Sequence, residues 1–283
     1  MSVKDYRRQL EEEVEAEEAH AAEAEWGASI ASVGGMERLD APRGDGSDAE
    51  QLRRLAVDPR ASSRERAVAL GEAAARSGED AHVLPLERLA DPRENPEVRL
   101  KALGVLKLFA IASPTAADWR PQYLAALRAA VAAPELRLSV LEVLSHMHDR
   151  ATREQLLEGL RDPARALVPV EVALRFLSGD PHGDVRAIAR TIVDQPPDEG
   201  ALDEALKILA GDPDSIDRLK GVLNDPGRPL SARKLAATSL NALGPEHLEE
   251  ASGGGAAPLS AMPSMGAEDR LRRHVEGLLD SNK

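Results

Sequence analysis

Cysteine is absent from this 283-residue chain. Disulfides, thiolate zinc sites, iron–sulfur clusters and cysteine nucleophiles are therefore excluded. Aromatic residues are scarce, at 2%: Tyr6, Trp26, Phe109, Trp119, Tyr123 and Phe176. A large globular core usually draws on bulky rings. A stack of small helix–helix interfaces can be built from Leu and Ala instead, because Ala lets backbones approach and Leu fills the gaps. No run of 18 apolar residues occurs, so no membrane span is expected. The start Met1-Ser2-Val3-Lys4-Asp5-Tyr6-Arg7-Arg8 has no apolar core of a signal peptide. The expectation is a soluble, cytoplasmic protein.

Signatures of chemistry are missing too. The seven histidines form no HExxH and no His-Glu dipeptide. No P-loop, Rossmann glycine pattern or Gly-x-Ser-x-Gly is present. The nearest approach to a metal cluster is His146-Met147-His148-Asp149, with His182 further on. Histidines two apart at a helix end point in different directions and suit one ion badly. They are expected to be solvated and favourable to the helix dipole. No cofactor, no metal and no catalytic residue is expected, and the chain reads as a binding protein and not an enzyme.

What is present is acid, and it is concentrated. Net charge is −13, and residues 1–50 hold 14 acidic against 5 basic side chains. Nucleic acid is an unfavourable partner for such a chain, because Lys and Arg supply most of that affinity. Within 1–26, Val3, Tyr6, Leu10 and Val14 fall on one helical stripe among runs of Glu. This acidic head is expected to be a solvated tail, a segment that contacts a basic partner, or an extra cap folded back on the body. Residues 27–47 hold five glycines and a proline and read as linker, so 1–47 forms the first region.

From Asp48 the pattern becomes periodic. Helical stretches alternate with breaks such as Asp58-Pro59, Asp91-Pro92, Ala133-Pro134, Asp162-Pro163 and Asp225-Pro226. Pro disfavours helix for the residue before it and is tolerated in a first turn. Segments starting at Leu52, Leu86 and Leu219 align through the break, and an Arg follows each Asp by eight residues: Arg66, Arg99 and Arg233. Asp58 to Asp91 is 33 residues, a solenoid period. Six helical pairs are expected: 48–57 with 62–77, 80–90 with 95–112, 117–131 with 134–148, 152–161 with 167–178, 184–194 with 199–210, and 213–224 with 229–243. The solenoid thus spans 48–244. Residues 245–266, with Gly253-Gly254-Gly255, read as a flexible linker. Residues 267–283 read as a short terminal helix, with Leu271, Val275, Leu278 and Leu279 as its apolar stripe.

These segments resemble HEAT repeats, of the short bacterial kind related to phycobilisome-lyase repeats. Asn95-Pro96-Glu97-Val98-Arg99 is similar to that family's start of a second helix. Asp184-Val185-Arg186-Ala187-Ile188-Ala189 is similar to it as well, although counting back from Leu219–Gly244 makes it a first helix, and the expectation follows the count. The resemblance implies an all-α solenoid whose second helices line a concave binding surface. It also implies a structural ladder in which Arg66, Arg99 and Arg233 bond Asp58, Asp91 and Asp225 at the preceding turns.

Trp119 and Tyr123 lie four apart, hence on one helical face, beside Arg120. They either fill a wider gap between repeats or form a contact site for a partner with Arg120. The expected function is a protein–protein interaction scaffold that binds its partner on the concave face or through its tails. The alternative implied by the resemblance is an enzyme or enzyme subunit, a cofactor-attaching lyase or a DNA glycosylase.

Overall fold

A computed structural model describes residues 46–112, 116–179 and 183–251. The expected acidic head and the terminal helix 267–283 lie outside these. Among the described residues there are thirteen α-helices and no strand. The chain divides into two compact units at His146 and Met147.

In the first unit the helices are α1 (Gly46–Val57), α2 (Ser63–Ala75), α3 (Val83–Ala90), α4 (Pro96–Ala112), α5 (Ala116–Ala130) and α6 (Pro134–His146). Consecutive helices pair as α1 with α2, α3 with α4 and α5 with α6. The second helices also pack in sequence, α2 on α4 and α4 on α6, while α3 packs on α5. This is the two-layer stack of an α-solenoid, with first helices in one layer and second helices in the other. The second unit repeats it with α7 (Arg150–Arg161), α8 (Val170–Leu177), α9 (Gly183–Asp194), α10 (Glu199–Ile208), α11 (Ile216–Asn224), α12 (Leu230–Leu243) and α13 (Pro245–Ala251). Here α8, α10 and α12 pack in order, and α9 packs on α7 and α11. The segment beginning Asp184-Val185-Arg186 is therefore a first helix, as the count requires.

The core of each unit is Leu and Ala, as the composition implies. Leu70, Leu89, Leu106, Leu127, Leu136, Leu141 and Leu144 are fully buried in the first. In the second, Leu174, Leu202, Leu206, Leu219 and Leu240 pack with Ala201, Ala205, Ala232, Ala236 and Ala237. The small side chains let the helix axes approach, and each Leu fills a gap between two helices.

One boundary differs from the sequence reading. Residues 245–251, assigned to a linker by the glycines and prolines that follow them, form α13. Gly244 ends α12 with φ +156°, a backbone conformation that glycine adopts without strain. Pro245 then opens α13 at a position where a missing N–H costs nothing. Leu248 of α13 is fully buried in the second unit's core, which anchors the turn.

Candidate functional site

The Asp-Pro breaks are built alike. Asp58, Asp91, Asp162 and Asp225 each accept a hydrogen bond from the backbone N–H two residues on, at 2.9, 2.9, 3.1 and 2.9 Å. Each carboxylate thus holds its own turn. The arginines do something else. Arg66, Arg99 and Arg233 donate from Nε to the carbonyls of Ala56, Leu89 and Leu223, at 3.2, 3.1 and 2.9 Å. Those carbonyls lie two residues before the Asp, at the C-terminal end of the preceding helix, where intrahelical donors run out. A cation there also opposes the helix dipole. The expected ladder is corrected accordingly: the Arg clamps the first helix's last turn, and the Asp caps the break. Arg137, which follows Ala133-Pro134, does the same to Val131 at 3.0 Å. All four arginines are the fourth residue of their helix, a shared position that the aligned segments miss in the third repeat because its turn is shorter. Arg66 further pairs with buried Glu94, which Arg88 approaches at 3.5 Å. The clamps and turn aspartates thus act within single helical pairs, and the Arg66–Glu94 pair joins one helical pair to the next.

Trp119 and Tyr123 are 3% and 1% exposed. They are corrected from a possible contact site to core. The 3₁₀ turn Gly78–His82 leads into α3 and ends on His82, which reaches these rings. His82 stacks on Trp119 at 5.0 Å and 11°, and Trp119 meets Tyr123 tilted, with centroids at 5.6 Å. Burial pushes the Tyr123 hydroxyl well above its ordinary value. Arg120 is exposed beside them, so the three residues do not form one surface.

The histidine cluster dissolves into local roles. His146 Nδ1 lies 2.7 Å from the Glu142 carbonyl of its own helix. Asp149 is buried and caps α7, accepting from Thr152 N and Oγ1 at 2.9 and 2.8 Å. His148 sits in the left-handed region at φ 51°, and His182 lies outside the described residues. Among the described residues no group of three or more potential ligands is placed to hold a metal. No described helix is long and apolar enough to cross a membrane.

The surface that stands out was not singled out by sequence. On α4, the middle second helix of the first unit, Leu100 and Leu108 are 38% and 63% exposed. Gly104 lies between them at a spacing of four, so all three share one face. A Cβ on Gly104 would meet nothing within 4 Å. On the adjacent α6, Leu138 is 54% exposed, and Val68 of α2 equally so. Lysines flank the stripe. Lys101 lies over Gly71 of α2, and Lys107 reaches towards Glu142 of α6 at 3.9 Å. A scattered exposed aliphatic needs no explanation, but a stripe on one helix with an open glycine at its centre is a contact surface in form. The first-helix layer offers a second feature, an open groove between α3 and α5 lined by His82, Val83, Leu86, Ala90, Gln122, Ala125 and Ala129.

Comparison with known proteins adds little. No family model matches the chain, and no curated protein matches it. Among solved structures, human deoxyhypusine hydroxylase in complex with glycerol aligns with 83% of this chain and 96% of its own, at 16% identity and a TM-score of 0.33. That likeness is too distant to carry an activity or a site across. It leaves the phycobilisome-lyase kinship without support from a relative.

Proposed function

We propose that this chain is a protein–protein interaction module, a scaffold or adaptor and not an enzyme. Its contact surface is the second-helix face of the first unit, centred on α4. The observation that carries the reading is the Leu100–Gly104–Leu108 stripe. Among the described residues nothing covers the exposed parts of these side chains, whereas the clamping arginines, the turn aspartates and the buried aromatics are engaged within the fold. Placing apolar side chains in water forgoes roughly 25 cal/mol per Å² that burial would recover, and a partner surface recovers it. The HEAT-like start at Pro96-Glu97-Val98-Arg99 lies on the same helix, in keeping with the family's use of second helices for binding.

The test is affinity capture with the full chain carrying Leu100→Asp and Leu108→Asp. Leu108 is 63% and Leu100 38% exposed, and circular dichroism checks that the variant keeps its fold. The reading requires that proteins held by the wild type are released by the variant and not by Leu230→Asp, an exposed aliphatic on α12. Equal capture by all three proteins would refute it.

A further inference from the structure

The α4 stripe has a candidate occupant within the same chain. We propose that the acidic head, residues 1–26, docks along α4 and covers Leu100, Gly104 and Leu108. Three observations converge on that segment. The first is shape. The head's stripe of Val3, Tyr6, Leu10 and Val14 spans 12 residues, a rise of roughly 16 Å for the helix that its spacing predicts, enough to cover the nine-residue run from Leu100 to Leu108. Gly104 lies in the middle of that run with open space above it. A glycine inside a helix weakens it relative to alanine, and among the described residues nothing packs against this one. It admits a close helix approach at the centre of the stripe. Gly221 of α11 is similarly open, but one turn to either side of it stand Asp217 and Asp225, so it forms no apolar seam.

The second observation is charge. Lys101 leans to the α2 side of the stripe, and Lys107, paired with Glu142 at 3.9 Å, to the α6 side, so a lysine borders the apolar seam on each flank. The head carries the matching pattern, with Glu11, Glu12, Glu13, Glu15, Glu17 and Glu18 beside its apolar positions. The two units differ in what they offer an acidic segment. Residues 46–146 hold 14 acidic and 14 basic side chains, while residues 147–251 hold 19 acidic and 13 basic. The second unit repels the head, and the first does not.

The third is reach. α1 runs back along α2, so Gly46 lies at the edge of the stack where α2 and α4 end, the edge nearer Leu108. Residues 27–45 can span up to about 65 Å, against roughly 20 Å for two helix spacings. Tethering makes the docking intramolecular, at an effective concentration on the order of millimolar. A partner of the α4 face would therefore compete with the chain's own head. The inference shares its surface with the proposed function but does not depend on any external partner.

The chain's lack of cysteine makes the test clean. A nitroxide is attached at Glu12→Cys, opposite the stripe on the helical wheel, in the full isotope-labelled chain. Docking predicts loss of amide signal intensity along α4 and on the adjoining faces of α2 and α6. The loss should vanish when Leu100→Asp and Leu108→Asp are added, and weaken with Lys101→Glu and Lys107→Glu. Intensities unchanged on α4, or lost instead along the α3–α5 groove, would overturn the proposal. So would losses seen only when spin-labelled and isotope-labelled chains are mixed, because the occupant would then be a second copy. The readout needs no partner. If the head docks and no partner is ever captured, only the proposed function fails.

Discussion

Replacing Arg99 and Asp91, singly and together, separates the clamp from the ladder it replaces. Arg99 is buried and donates from Nε to the Leu89 carbonyl at 3.1 Å. Arg99→Met keeps an apolar stem but strips the last turn of α3 of its donor. A buried hydrogen bond from a charged group contributes about 1.5–3 kcal/mol, so the expected loss is about 2 kcal/mol. Asp91→Ala removes one bond to the Arg93 N–H in an exposed turn, which costs about 0.5–1 kcal/mol. Because the two side chains bond different backbone groups, their effects should add to within about 0.5 kcal/mol. The assay is chemical denaturation of all four proteins, with the coupling energy read from the cycle. An Arg–Asp ladder demands the opposite pattern: similar single losses and a double mutant little worse than either. Finding that pattern would refute the clamp, as would an Arg99→Met protein as stable as the wild type.

Three further predictions follow from the same geometry. In the Leu100→Asp, Leu108→Asp background, where docking on α4 is removed, Gly104→Ala should stabilise the chain by roughly 0.5–1 kcal/mol, since its Cβ meets nothing among the described residues; a destabilised protein in thermal melts would mean that the glycine is structurally required. Trp119→Ala should cost about 3–5 kcal/mol by opening a cavity under His82, and denaturation showing no loss would return Trp119 to the surface. Ser62→Ala breaks the capping box at the start of α2, where Ser62 and Glu65 satisfy each other's backbone, at a cost of about 1 kcal/mol near neutral pH. The hydrogen bonds from Ser62 hold the Glu65 carboxyl below the ordinary glutamate value. A depressed folded-state pKa stabilises above the unfolded value and is lost as pH falls through the folded one. The gap between wild type and Ser62→Ala should therefore narrow as pH drops below the glutamate range, and a gap that widens there contradicts the assignment.

The helical pairs were legible because their punctuation is local. Asp-Pro stops a helix by sterics, and each stop is visible in the sequence without tertiary context. The clamp was half legible. The eight-residue spacing from Asp to Arg pointed to a contact, but the acceptor is a backbone carbonyl, which no residue type marks, so the nearest acidic side chain drew the assignment. Trp119 and Tyr123 showed their common face but not which way it turned, because an aromatic pair suits a core gap and a contact site equally. α13 was hidden by the glycines that follow it within the same window. The α4 stripe was the least visible feature. That helix is apolar on nearly every side, so its period does not tell Leu100 and Leu108, which are wet, from Leu103 and Leu106, which are buried. Only the packing of α2, α3, α5 and α6 around α4 reveals the face left open.

The central claim is that the second-helix face of the first unit receives a partner, and site-specific photocrosslinking in the native host tests it most directly. A photoreactive residue is placed singly at Leu100, Leu108 or Leu138 on that face, and at Leu55, Val83 or Leu230, which are exposed elsewhere. The account predicts one adduct of constant mass from the first three positions, lost when the remaining stripe residues are changed to Asp, and none from the others. Adducts of equal yield at all six positions, or none at Leu100, Leu108 and Leu138, would contradict it.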